Sequence, residues 1–466
     1  MSAVAATDLT GAKPSAAGSA KRRAPRSRLT RGRVVLGTAL LLAVVVWTIW
    51  PRVRLDQRLH TARDWLREGN AERALAILAP EEGGHADSAE LQFLLGVAHR
   101  RANHLRVCGE YFRRASALGW PRSELRTQEM MAAFQSGDAA AEAELKAFLR
   151  LPMDDEVAEE VCEALAKGYF GRYWLNQALT CIDHWISWRP QNPRPRHLRA
   201  MILSLSGDVE QQIKDYRAII AVAPEDFSAH ALLGDALMRT NSVDQALVQY
   251  RWCRERAPHD PLAALGVAVC LRRRGNFDEA RRELEEVIAG GVSEGQRGRL
   301  LAELGEVAFE LGDVQKAADY LVEAVKSLPF DSATHYSCGI ALARVGKKDE
   351  ADRMIKAAEE LTHRQERIFD VETQLANNPD DPDLRYEAAT LLKGQNLDHE
   401  AETLMLTALK LDPTHARAHQ ALADWYQAQG KTAEAERHRA VAVQLSGAAA
   451  ESPKEPSAEH ATEGGS

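Results

Sequence analysis

The residues best equipped for chemistry are few and scattered. His415 and His419 stand one helical turn apart and can grip a metal ion together, but they sit at a helix start beside Pro413 with no third ligand in reach. No metal or cofactor is therefore expected. Cys108, Cys162, Cys181, Cys253, Cys270 and Cys338 form no C-x-x-C pair, so they read as small buried apolar side chains, with a Cys162–Cys181 bridge as the alternative. There is no G-x-S-x-G, no G-x-x-x-x-G-K-[ST] and no H-E-x-x-H, and His399-Glu400 lacks a second histidine. The expectation is a protein without catalytic residues.

Two groups of residues point to binding instead. Arg239, Arg272, Arg273 and Arg344, with Tyr336 nearby, fall on one predicted wall, where cations in an acidic body can meet a carboxylate or an acidic peptide. Pairing with Glu303, Glu306 and Glu310 is the alternative. Tyr169, Phe170, Tyr173, Trp174, Trp185 and Trp188 crowd into one stretch of a chain only 6% aromatic. They either anchor a partner or fill an irregular junction.

Elements that would position these residues emerge from a repeat. Stepping from Ala62, small residues return at Gly96, Ala166, Ala200, Gly234, Ala268, Gly305, Gly339, Ala389 and Ala423, with Met130 the one large member. Most steps are 34 or 36 residues; the step from Gly339 to Ala389 is 50. Seven residues past each anchor lies Gly or Asn, from Gly69 to Gly430, with Tyr173 the sole exception. Those residues tolerate the left-handed conformation that ends a helix. Asp138, Asp208, Asn276 and Asp313 follow directly and can cap the next helix. Twelve residues past the anchors small side chains return (Ala74, Ala246, Ala280, Ala317, Ala351), and two antiparallel helices are expected to nest where the two small residues face each other. Pro190, Pro224, Pro258, Pro329 and Pro413 then stop the second helix. Between these markers apolar residues keep helical spacing, and no stretch alternates as a strand does.

The period, the Leu-Gly pairs (Leu95-Gly96, Leu233-Gly234, Leu304-Gly305), the later Ala, the aromatic (Phe112, Tyr216, Tyr250) and the Pro resemble the tetratricopeptide repeat. The resemblance covers residues 55–446 in about eleven hairpins, irregular near 120–158 and 360–381, with His363–Asn377 reading as an added or extended helix. It implies an all-α solenoid, a right-handed superhelix whose concave wall is built by the first helix of each pair and receives a peptide or a partner helix. The Lys/Asn clamp with which some relatives hold acidic chaperone termini is not matched here.

Charge and hydropathy place this array at a membrane. Residues 34–50 (VVLGTALLLAVVVWTIW) carry no charge and, with Trp47 and Trp50 at the interface, read as a transmembrane helix over 34–51. Lys21, Arg22, Arg23, Arg26, Arg28, Arg31 and Arg33 precede it, which sets the 1–33 tail in the cytoplasm and the body on the extracytoplasmic side. The tails 1–33 and 447–466 are expected to be disordered. The formal net charge is −8 although the first 54 residues are strongly basic, and so acidic a body disfavours nucleic acid. The expected role is a membrane-anchored scaffold in assembly of an envelope complex; the alternative is a lipid- or polysaccharide-handling accessory, for which exposed Trp174, Trp185 and Trp188 would be needed.

Overall fold

A computed structural model describes residues 53–451, apart from Ala139, Gly394 and Asn396. The predicted span 34–50 and both outer tails lie outside these residues, except that the last helix continues to Glu451. Among the described residues there is no strand, and no helix is long and apolar enough to cross a membrane.

The described residues form eleven successive helical hairpins. The first pairs α1 (residues 53–67) with α2 (Ala71–Leu78); α3 (Ala89–Arg101) and α4 (Leu105–Ala117) follow. Next come α5 (Arg122–Gln135) with α6 (Ala140–Phe148), α7 (Asp155–Gly171) with α8 (Leu175–Trp188), and α9 (Arg194–Ser206) with α10 (Val209–Val222). The middle holds α11 (Phe227–Arg239) with α12 (Val243–Arg256), α13 (Pro261–Arg273) with α14 (Phe277–Ala289), and α15 (Glu294–Glu310) with α16 (Val314–Ser327). The array ends with α17 (Ser332–Arg344) and α18 (Lys348–Asn377), α19 (Pro382–Leu392) and α20 (Asp398–Leu411), and α21 (Ala416–Ala428) and α22 (Thr432–Glu451).

The turn inside each hairpin is where the spacing predicts it. Gly69, Asn103, Gly137, Gly207, Asn241, Gly275, Gly312, Gly346 and Gly430 all have positive φ. Asn241 shows the pattern: its N–H donates to Met238 O at 3.1 Å and the Ser242 N–H to Leu237 O at 2.8 Å, satisfying carbonyls at the end of α11. The exception keeps the rule as well, since Tyr173 adopts φ 59°. Asp208 and Asp313 cap α10 and α16, whereas Asn276 makes no side-chain cap. A second set of caps, Asp226, Asp260, Asp331 and Asp381, each two residues after a proline, starts the first helices. The spacing of small residues does not reveal them.

Gly339 shows the expected approach of two small residues, since a Cβ on it would lie 3.2 Å from the Ala351 carbonyl oxygen, but a bulkier neighbour also packs on the anchor. A Cβ on Gly234 would come within 2.7 Å of the Tyr250 ring, one on Gly96 within 2.4 Å of Phe112, and one on Gly305 within 2.6 Å of Leu321. The anchor glycine therefore makes room for the bulky residue sixteen positions on. The small residue twelve on, such as the fully buried Ala246, lets the second helix approach closely enough to deliver it.

Two hairpins depart from the pattern where irregularity was expected. Helix α6 has only nine residues, so α5 packs directly on α7. The added residues of the 50-residue step do not form a separate helix; α18 is one continuous helix of 30 residues. Its far half buries Val371 and Leu375 in the C-terminal core. Between neighbouring hairpins, first helices touch first helices (α11 with α13, α13 with α15, α15 with α17), which puts them on the inner wall.

Candidate binding groove

The inner wall has two unlike stretches. Toward the N-terminus it is filled by charge. The short α6 lets α3, α5 and α7 converge, and Arg100, almost wholly buried, donates to Gln128 at 2.8 Å and Gln135 at 3.0 Å and lies 3.4 Å from Glu160. Arg101 lies 3.1 Å from Glu160 and donates to Leu66 O. Lys167 bonds Glu163 at 2.7 Å and Arg101 O at 2.8 Å, and Arg194 closes on Glu163 from α9. Burial pushes both carboxyls up, but Arg101 and Arg100 hold Glu160 below the usual range, and Lys167, Arg101 and Arg194 hold Glu163 well below it. This stretch is a polar network whose charges are paired with one another.

Over α11–α17 the same wall is open. Arg239, Arg273 and Arg344 each stand five residues past their anchors, so they occupy one repeat position and form a column, interrupted by Glu310 at that position on α15. Arg239 donates to the neutral Gln212 at 3.1 Å, Arg273 reaches the Asn241 amide oxygen at 3.5 Å, and Arg344 lies 5.4 Å over the Phe309 ring. Among the described residues no carboxylate is within ion-pair distance of these three. Arg272 differs: its guanidinium bonds both Glu303 oxygens at 2.6 and 3.2 Å, the pairing that was the alternative reading. Burial nevertheless keeps the Glu303 carboxyl above its usual range, with Arg272 opposing only in part. Tyr336 on α17, 54% exposed, and Leu262 on α13, 51% exposed, add apolar surface to these first helices.

The aromatic cluster does not gather into one surface. Trp185 is 1% exposed, under the Arg194 guanidinium at 5.3 Å, and Phe170 is half-buried in the core of α7 and α8. Trp188 is exposed, with Arg189 over its ring at 4.6 Å. Trp174 and Tyr173 turn toward the other end of the chain. Trp174 Nε1 donates to Asp380 at 3.3 Å, while the Tyr173 ring enters the core of α18–α21 beside Arg385. Arg385 in turn donates to Arg172 O at 2.7 Å, Lys410 donates to Ser136 O, and Arg106 pairs with Glu402 at 2.8 Å. The last hairpins thus dock on the turns of the second, third and fourth. Sequence pattern carries one trace of this contact: a tyrosine where every other unit has Gly or Asn.

The two histidines separate. His415 takes the capping place that Asp holds in earlier units, its Nδ1 accepting from Ala418 N at 3.0 Å and its Nε2 3.2 Å from Asp383. His419 faces His438 instead, Nδ1 to Nδ1 at 2.9 Å. Among the described residues no group of three or more His, Cys, Asp or Glu is placed to hold a metal ion.

The family model for the tetratricopeptide repeat matches residues 206–261, 232–295 and 271–332, so this stretch carries tetratricopeptide repeats, within an all-α solenoid formed by the described residues. No curated protein matches the sequence. Among solved structures, YrrB, described as a TPR protein with an unusual peptide-binding site, is 22% identical over 44% of this chain and 96% of its own, with a TM-score of 0.27. A tetratricopeptide repeat protein from Parabacteroides merdae is 20% identical over 54% of this chain and 96% of its own, at 0.43. The APC/C hetero-tetramer Cut9-Hcn1 is 13% identical over 84% and 81%, at 0.32.

Proposed function

We propose that this chain is a binding scaffold and not an enzyme, and that the open wall over α11–α17 receives an extended, acidic segment of a partner protein. The observation that carries this reading is the column of Arg239, Arg273 and Arg344, cations without carboxylate partners on first helices that also expose Tyr336 and Leu262. Backbone-extended carboxylates meet guanidinium forks with charge-assisted hydrogen bonds, and an aromatic face adds apolar contact. The polysaccharide alternative has less support, because Trp185 is buried and Trp174 is engaged with Asp380.

The finer reading is that residues 34–50 anchor the scaffold in a membrane, N-terminus cytoplasmic, with the solenoid on the extracytoplasmic side, serving assembly of an envelope complex. The apolar run and the basic flank before it support this. Protease treatment of sealed vesicles tests it: protection of the body on the cytoplasmic face is expected, and cleavage there reverses the topology.

The groove itself is tested by titrating the purified chain with fluorescent acidic peptides. Changing Arg239, Arg273 and Arg344 together to Ala should weaken binding at least about tenfold, or about 1.4 kcal/mol. Equal affinity of the variant, or binding indifferent to salt, overturns the assignment.

A further inference from the structure

Cys162 on α7 and Cys181 on α8 face each other across the hairpin that carries Tyr173 and Trp174. The Cys181 thiol lies 3.6 Å from the Cys162 carbonyl oxygen. Both side chains are half-buried and line an open cavity of about 510 Å³ with Lys146, Asn176 and His184, so a small molecule can reach the sulfurs. Cys108, Cys253, Cys270 and Cys338 are instead buried.

We propose that Cys162 and Cys181 are a reactive dithiol that takes oxidising equivalents from small-molecule disulfides and closes to an intramolecular disulfide. The facing Cys181 holds the Cys162 thiol below the ordinary range, while Cys162 and burial push the Cys181 thiol up, which makes Cys162 the attacking thiolate. It attacks one sulfur of the small disulfide, whose S–S bond breaks; one thiolate leaves and takes up a proton from water. Cys181 then loses its proton to water and attacks the Cys162 sulfur of the mixed disulfide, expelling the second thiolate, which is protonated in turn. Two protein thiols are oxidised by two electrons, and the small disulfide is reduced to two thiols. The bond would staple α7 to α8 beside the turn that docks on the C-terminal hairpins.

Treating the full chain with oxidised glutathione, then alkylating and mapping peptides, tests this. The expected product is a Cys162–Cys181 linked peptide, two alkylatable thiols fewer, and the other four cysteines still alkylated after unfolding. Cys181→Ser should stop at one glutathione on Cys162, and Cys162→Ser should slow Cys181 about tenfold. Both serine variants are checked for native circular dichroism, so that loss of reaction is not loss of fold. Alkylation of both thiols in the native chain without any linked peptide, or equal reaction of the four buried cysteines, overturns the proposal.

Discussion

One repeat pattern builds two different inner walls. Around α3–α7 the wall is closed by Arg100, Arg101, Glu160, Glu163 and Lys167; around α11–α17 it is open, and three of its arginines have no carboxylate. The difference starts from length. A nine-residue α6 cannot hold α5 and α7 apart, so charges that elsewhere would face solvent meet one another and are buried. With a full-length second helix, as in α12 or α14, the neighbouring first helices touch less extensively and their polar ends stay accessible. Identical small-residue spacing thus sets the stack, while helix length and the residues at the ends of the first helices decide whether a stretch is core or binding surface.

The sharpest way to break this contrast is Glu163→Ala. It would leave Arg101, Lys167 and Arg194 facing a buried gap, and removal of one partner of a buried ion network costs about 3–5 kcal/mol. Urea titration followed by circular dichroism measures this, and a loss under 1 kcal/mol would mean that the network is solvated. Tyr173→Ala comes next. The ring leaves the core of α18–α21, for a net loss of about 2 kcal/mol, while the left-handed backbone keeps its strain of about 1–2 kcal/mol. Small-angle scattering should show a larger radius of gyration; an unchanged profile would mean that the ends stay docked without it.

Acid separates the two walls by sign. Glu160 and Glu163 bind protons less readily folded than unfolded, so their contribution is complete above an unfolded glutamate value of about 4.3 and is lost as pH falls through their lower folded values. Glu303 is raised by burial despite Arg272, so its contribution grows as pH falls through that raised value. Hydrogen exchange on acidification should therefore loosen α3–α7 before α13–α15, and the reverse order would contradict the assignment. The smallest stability effect belongs to the groove. Arg239→Ala, Arg273→Ala and Arg344→Ala should each shift unfolding by no more than about 0.5 kcal/mol, because these side chains are exposed and unpaired with acid. A larger loss in urea titration would make them structural.

The repeat was legible because its markers are local. A left-handed turn needs Gly or Asn within a few residues of a helix end, and nine of those positions show the expected φ. The short α6 and the extended α18 fell where the spacing broke, since length is also written along the chain. The buried network and the docking of the last hairpins were not legible. Arg385 reaches Arg172 O, and Lys410 reaches Ser136 O, across more than two hundred residues, and nothing in a periodic pattern encodes which units meet after the superhelix turns. Tyr173 was visible as an exception; its reason lay at the other end of the molecule. His415 and His419 looked paired by spacing, but the capping place of His415 and the partner His438 were both needed to see otherwise.

A linear stack of hairpins has two free edges, and its outer units can fray one at a time because each leans on a single neighbour. Here Arg385, Lys410 and Arg106 give the last units a second neighbour. Opening the final hairpins then exposes the turns of the early ones as well, so the chain should unravel in fewer and larger cooperative steps than its repeat number alone implies.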